Sequence, residues 1–354
     1  MNLRQQVGQL LIAGVAGTEL TPLERAWWKL IQPSGIILFR KNIEQASQVV
    51  QLLGETVRLT QTPQFRCVDL EGGLVDRLRD LIAPMPSPAA VFATGKRTNF
   101  VKHGKLIGRE ARMLGFNTVF APVLDLALPT SVPVMKTRVV SLEPDGVVAY
   151  ASAFLDGLAS EKISGCGKHF PGLGGGTLDS HEAMPSIERS WNELWQQDLA
   201  VFRALNLKLP IIMVSHAAYP QIEGKTPASI SPFWITEVLR KRMHYRGLIL
   251  SDDMEMGGVL TQTSIEEASV LAIAAGTDVL EICKDPALLL RAYEALLREA
   301  EHSTTFRKRV EMASHKVTQH QRKYLSAESL RTPTERALDK LRNDVRKFAK
   351  EVSV

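Results

Sequence analysis

Along the first 285 residues, short apolar runs rich in β-branched side chains alternate with longer segments whose apolar positions recur every three or four residues. The short runs predict strands at "LLIAGV" (10–15), "GIILF" (35–39), "FRCVDL" (65–70), "NTVFAPVLD" (117–125), "SGCGKHF" (164–170), "PIIMVSH" (210–216), "GLILSDD" (247–253) and "DVLEIC" (278–283). Helices are predicted between them at "NIEQASQVVQLLGETVRLT", "NFVKHGKLIGREARMLG", "DGVVAYASAFLDGLASEK", "SWNELWQQDLAVFRALN", "SPFWITEVLRKRMHY" and "SIEEASVLAIAAG". Eight strands separated by helices predict an α/β fold, a closed (β/α)8 TIM-like barrel over residues 1–300. An open doubly wound sheet is the competing arrangement. It would carry a Gly-rich dinucleotide turn after its first strand, which "LLIAGVAGTEL" imitates poorly.

Residues 301–354 are predicted as a basic helical extension packed on the barrel. "TPTERALDKLRNDVRKFAKEV" places Thr332, Pro333 and Glu335 in capping-box order and aligns Leu338, Leu341, Val345, Phe348 and Val352 on one face. From residue 305 onward there are thirteen Lys or Arg against six Asp or Glu, leaving thirty against thirty-two before it, so the net charge of +5 belongs to the tail. Phe348, the one aromatic residue between Thr332 and Val352, belongs to the apolar stripe and does not form the run of aromatics that a nucleic-acid platform would require; the expected arrangement is an apolar stripe docked on the body beneath a solvated basic face.

The composition, 45% hydrophobic and 23% charged, is that of a soluble globular protein. No stretch reaches eighteen uninterrupted apolar residues, and the amino-terminal apolar run is too short for a signal core, so no membrane span and a cytoplasmic location are expected. Cys67, Cys166 and Cys283 are odd in number and lie in apolar segments, which points to buried reduced thiols. The five tryptophans fall in helical segments and read as packing groups, and His103, His244, His302, His315 and His320 as solvated or capping residues.

The chemistry gathers at strand ends. Asp69 closes the third predicted strand, Asp125 the fourth, Lys168 and His169 the fifth, His216 the sixth, and Asp252 with Asp253 the seventh. In a barrel those ends and the loops after them form one rim. Burying so many ionisable groups would cost several kcal/mol each (~2–7) unless they faced a polar cavity or one another. Strand alternation would point Asp253 away from Asp252, and His216 has either a cavity or a structural role. The loop "KHFPGLGGGTLDSH" (168–181) adds Asp179 and His181, two positions apart on a Gly-rich stretch whose bending would bring them together. A ring of carboxylates, basic donors and histidines without a cofactor motif suggests hydrolysis of a polyhydroxylated substrate. Glycoside cleavage needs one group at the developing cation and another to protonate the departing oxygen, and an aspartate-oriented histidine can serve as that acid.

"KHFPG" followed by "DSH", with "VDLEGG" (68–73), "GIILFRKNI" (35–43) and "LILSDDMEM" (248–256), resembles the family 3 glycoside hydrolases, specifically the single-barrel bacterial β-N-acetylglucosaminidases of the NagZ type. The resemblance spans residues 5–285. It implies a retaining exo-acting enzyme that removes terminal β-linked N-acetylglucosamine from cell-wall fragments, working as a monomer or weak homo-oligomer with no metal or organic cofactor. By motif, Asp252 matches the nucleophile, His181 the acid/base and Asp179 its orienting partner. Asp69, Arg77, Arg138, Lys168 and His169 match sugar-binding residues, and the Gly-rich loop a mobile flap. Leu70, Leu74, Leu173 and "VVSLEPD" after Arg138 depart from the pattern on the leaving-group side. A metal-dependent hydrolase using Asp69, His169, His216 and Asp252, a non-catalytic muropeptide-binding barrel, and a phosphorylase stay open as alternatives. A histidine acid, unlike a carboxylate, does not repel phosphate.

Overall fold

Parallel strands β1 (Leu11–Ala13), β2 (Gly35–Leu38), β3 (Phe65–Val68), β4 (Thr118–Val119), β5 (Ser164–Phe170), β6 (Ile211–Val214), β7 (Leu248–Asp253) and β8 (Val279–Ile282) pair in chain order, and β1 closes on β8. The computed structural model describes residues 1–176, 184–325 and 330–353. All eight predicted strands are therefore staves of one barrel. β4 is short because Pro122 has no N–H to donate; beyond it the ladder survives as a single bridge from Val123 to Lys168.

Alternation divides each strand between two cores. Ile12, Ile37, Cys67, Cys166, Met213, Leu250 and Val279 fill the barrel interior, while Leu11, Ile36, Val68, Ile212, Ile249 and Leu280 face the helices. Two register shifts interrupt the alternation where it matters. β5 meets β6 with Cys166 opposite Ile211 but Phe170 opposite Val214, so one extra residue sits on β5 across Lys168 and His169. β7 meets β8 with Leu250 opposite Val279 but Asp253 opposite Glu281, one extra residue on β7 before its end. Each shift is a β-bulge, which re-aims consecutive side chains.

The helices Ala46–Leu59, Arg97–Met113, Pro144–Ser160 and Ile265–Ala275 form where the periodicity predicts. "SWNELWQQDLAVFRALN" is not one helix: it breaks at Gln197 into Trp191–Gln196 and Asp198–Leu205. Asp198 starts the second piece and packs against Gly172, at the head of the Gly-rich loop. "SPFWITEVLRKRMHY" winds as a π-helix over Phe233–Arg242, burying Trp234, Ile235, Val238 and Leu239. Trp234 packs with Trp191, Phe233, Tyr219 and Phe170, so these tryptophans are packing groups. All three cysteines are buried and unpaired.

The helix Thr304–Tyr324 seals the amino-terminal end of the barrel. It buries Phe306, Val310, Ala313 and Val317. His320 lies against the Phe65 ring at 5.5 Å, and the Gln321 amide reaches the Ser34 carbonyl at 3.4 Å. Arg309 from this helix and Arg240 from Phe233–Arg242 share the buried Asp278 carboxylate at the start of β8. The terminal helix Glu335–Val352 buries Leu338, Leu341, Val345 and Phe348. Its cap is Thr334, whose side chain accepts from Ala337, rather than Thr332. No helix among the described residues is long and apolar enough to cross a membrane.

Two histidines read as solvated are buried instead. His103 sits between Tyr150, which meets its Nδ1 at 2.9 Å, and the Phe348 ring, and burial pushes its pKa down to about 3. His320 is likewise pushed down to about 3, chiefly by burial. His320 is enclosed by the docking of its own helix on Phe65, and His103 by Tyr150 and Phe154 of the neighbouring helix as well as by Phe348, where the terminal helix docks. Phe348 is the anchor of that docking, and Phe348→Ala is expected to lower unfolding free energy by about 3–5 kcal/mol in a denaturant titration.

Candidate active site

At the carboxyl ends of the strands lies a cavity of about 180 Å3 lined by Asp69, Arg77, Arg138, Lys168, His169, Asp252, Asp253 and Glu281, with an apolar wall that includes Phe39, Met135, Leu173 and Met256. It is smaller than the roughly 300–1,000 Å3 of a drug-sized site. A larger cavity of about 630 Å3 lies against Arg66, Arg112, Arg331 and Lys340, contains none of the predicted site residues, and borders positions outside the described residues.

Lys168 is the hub. Its Nζ lies 2.8 Å from Asp69 Oδ1 and 2.9 Å from Glu71 Oε1. Burial disfavours the ammonium, but Asp69 and Glu71 outweigh it and hold its pKa above the ordinary value. Arg138 closes the other side of Glu71 through two bonds of 2.8 Å, Nε to Oε2 and Nη2 to Oε1. Burial works against the Glu71 carboxylate too, and Arg138 and Lys168 together overcome it and keep the group well below the usual carboxylate range.

The segment after β3 makes this possible locally. Leu70–Gly72 and Val75–Asp76 pair as a tight hairpin turned through Gly72 and Gly73, both at positive φ. A Cβ on Gly72 would lie 2.2 Å from the Pro86 carbonyl oxygen. Asp76 holds the returning arm by accepting the N–H groups of Leu78 and Met85. Arg77 is thereby brought back over Asp69, Nη2 to Oδ2 at 4.0 Å, and its Nε is without a partner among the described residues.

On the opposite wall, His169 Nδ1 meets Asp125 Oδ2 at 2.7 Å. The other oxygen of Asp125 accepts the Leu173 N–H at 2.7 Å, so one buried carboxylate orients the imidazole and ties down the head of the Gly-rich loop. Tyr219 Oη and Thr130 Oγ1 donate to the carbonyls of Gly172 and Gly174. At the loop's far end, Pro185 and Ile187 bond through backbone to Ala218. Gly176 and Pro185, which flank the intervening residues, both line the cavity. Asp179 and His181 lie outside the described residues.

Asp252 keeps part of its surface open to the cavity. Burial would raise its pKa, but His169, His216, the Asp253 N–H and Lys168 pull it below the ordinary value. That N–H donates to Asp252 Oδ1 at 2.9 Å. Asp253 does not turn away as strict alternation would have it. The bulge on β7 leaves it at the cavity too, where burial pushes it up to about 6 against a Lys284 Nζ 3.6 Å away. Two adjacent carboxylates are thus driven apart, Asp252 ionised and Asp253 easily protonated. His216 is fully buried: Nε2 donates to the Asp253 carbonyl at 2.9 Å and Nδ1 accepts from Ser229 Oγ at 2.7 Å, a supporting position beneath the aspartates. Among the described residues no group of three or more His, Cys, Asp or Glu is placed to hold a metal ion.

Two acidic residues escaped sequence reasoning: Glu281, which lines the cavity, and Glu71, buried behind Lys168 and Arg138. Glu71 follows Asp69 by two positions in "VDLEGG", and Glu281 interrupts the apolar inward row of "VLEIC"; a same-face reading of each strand would have exposed both. Glu71 also has a consequence for pH. Its folded-state pKa is depressed, so its contribution is complete above the ordinary carboxylate range and is lost as pH falls through that range toward its folded value. In parallel acid titrations of stability, Glu71→Gln should flatten that loss and cost roughly 3–5 kcal/mol at neutral pH, because Lys168 and Arg138 lose their shared counter-charge.

Residues 2–320 match the glycosyl hydrolase family 3 N-terminal domain. A β-hexosaminidase of Idiomarina loihiensis is 33% identical over 317 residues, covering 88% of this chain and 95% of that protein. Among solved structures, a fungal multi-domain GH3 β-N-acetylglucosaminidase superposes with a TM-score of 0.93 at 28% identity; the match covers 99% of this chain but only 43% of that one. NagZ of Neisseria gonorrhoeae in complex with N-trifluoroacetyl-D-glucosamine gives a TM-score of 0.74 at 28% identity, covering 87% of this chain and 98% of that one. With its barrel, its ring of strand-end charges and a family match over most of its length, the chain belongs to glycosyl hydrolase family 3.

Proposed function

We propose that the chain is a retaining exo-β-N-acetylglucosaminidase that removes terminal β-linked N-acetylglucosamine, with muropeptide fragments of recycled cell wall in the cytoplasm as its natural substrate. The observation that carries this reading is Asp252: an ionised carboxylate open to a cavity at the strand ends that is ringed by hydrogen-bonding charges. The β-hexosaminidase names of the relatives and the sugar analogue in the gonococcal complex support the acetamido preference.

In this reading Asp252 Oδ attacks the anomeric carbon as the glycosidic bond breaks, and the departing oxygen takes a proton from the His181 imidazolium. Asp179 holds the imidazole and stabilises its charged form. The neutral imidazole then removes a proton from water, which attacks the anomeric carbon and releases Asp252 with overall retention. Lys168, His169, Asp69 and Arg77 hold the sugar hydroxyls, and Arg138 acts with Glu71 as the rigid wall behind them. The acid/base pair is supported by its tether, since both flanks of the Gly-rich segment line the cavity.

Asp252→Ala should abolish turnover of an aryl β-N-acetylglucosaminide while leaving thermal unfolding close to wild type, and near-normal turnover would remove the mechanism. His181→Ala should slow glycosides with poor leaving groups far more than activated aryl glycosides, because only the former need protonation in the transition state. Equal slowing of both would count against the acid role. Aryl glycosides differing only at the sugar 2-position test the acetamido preference directly.

A further inference from the structure

The inward face of β8 and its extension carries Val279, Glu281 and Cys283. Val279 and Cys283 belong to the apolar cluster that fills the barrel, so Glu281 breaks an otherwise apolar row. It is 3% exposed, yet it lines the cavity with Asp69, Asp252 and Lys284. Cys283 Sγ donates to Glu281 Oε1 at 3.2 Å. Among the described residues Oε2 has no hydrogen-bond partner and Glu281 no ion pair; Lys284 Nζ is engaged with Asp253 and Lys168 Nζ with Asp69 and Glu71.

A carboxyl buried beside the acids at the ends of β3 and β7 is costly to ionise, and burial, then Asp69, Asp253 and Asp252, raise its pKa well above the ordinary value. The neutral acid carries one O–H donor. Glu281 lines the cavity and no side chain among the described residues accepts from it, so the acceptor for that donor is what enters the cavity. A carboxylic acid kept neutral by its surroundings is a strong donor to a substrate oxygen.

We propose that Glu281 is a specificity-determining residue whose carboxyl O–H donates a hydrogen bond to an oxygen of the sugar held in the cavity. The inference rests on the assignment of that cavity as the sugar site. It is distinct from the roles of Asp252 and the histidine acid, since Glu281 orients the ring rather than reacting with it.

The test uses the full chain as wild type, Glu281→Gln and Glu281→Leu, with aryl β-N-acetylglucosaminide and analogues altered one oxygen at a time at C3, C4, C6 and the 2-substituent. Glu281→Leu should lower kcat/KM by at least about tenfold with an unchanged or raised Tm, and Glu281→Gln, which keeps an N–H donor, should stay within about threefold of wild type. One analogue should cost wild type about the factor that Glu281→Leu costs, and cost the leucine variant no more, the signature of a shared contact. Wild-type kcat/KM in Glu281→Leu, equal losses in both variants, or no coupling to any analogue would overturn the inference. Alongside a dead Asp252→Ala, such a result removes the inference alone; retained activity in Asp252→Ala removes the site and the inference together.

Discussion

The ammonium of Lys168 is the constraint on which the cavity depends. A buried cation is tolerated only with partners at bonding distance, and here those partners are Asp69 and Glu71, from the end of β3 and the hairpin after it. Glu71 commits Arg138, and Asp69 draws in Arg77. Three stretches of chain far apart in sequence are therefore registered against one charge. The network contributes little net stability beyond an apolar packing of the same volume, but it fixes geometry, because no member can move without stranding another in a low-dielectric interior.

Much of this was legible along the chain. Strands could be read because apolar β-branched runs bounded by Gly and Pro leave few other options, and the rim could be read because Asp69, Lys168, His169 and Asp252 each end such a run. What depended on pairing between strands could not. Alternation within β7 puts Asp252 and Asp253 on opposite faces; only the register shift against β8 brings both to the cavity. The same holds for Lys168 and His169 across the shift between β5 and β6. His103 and His320 look like surface histidines until Phe348 of the terminal helix meets the one and the other is laid against Phe65 of the barrel, which local pattern does not report.

The environment, rather than residue type, separates the carboxyls of the site. Asp252, Asp253 and Glu281 line one small cavity and Glu71 lies behind it, yet Glu71 and Asp252 are held as anions by cations and donors while Asp253 and Glu281 are pushed toward the neutral acid by burial. Positioned this way, a few acids of nearly equal intrinsic strength differ in protonation at one site, the division that the proposed reaction would use. Family membership says which reaction class uses such a set; the fields around each group say how the work divides.

The helix Thr304–Tyr324 and the apolar layer above it make the barrel a vessel with one door. In the exo reaction proposed above, traffic through it would be last in, first out: the sugar that goes deepest would be trapped behind whatever it is attached to, and would wait for that companion to depart before leaving by the way it came. A blocked doorway would hence retain the cleaved sugar as well as repel the next molecule.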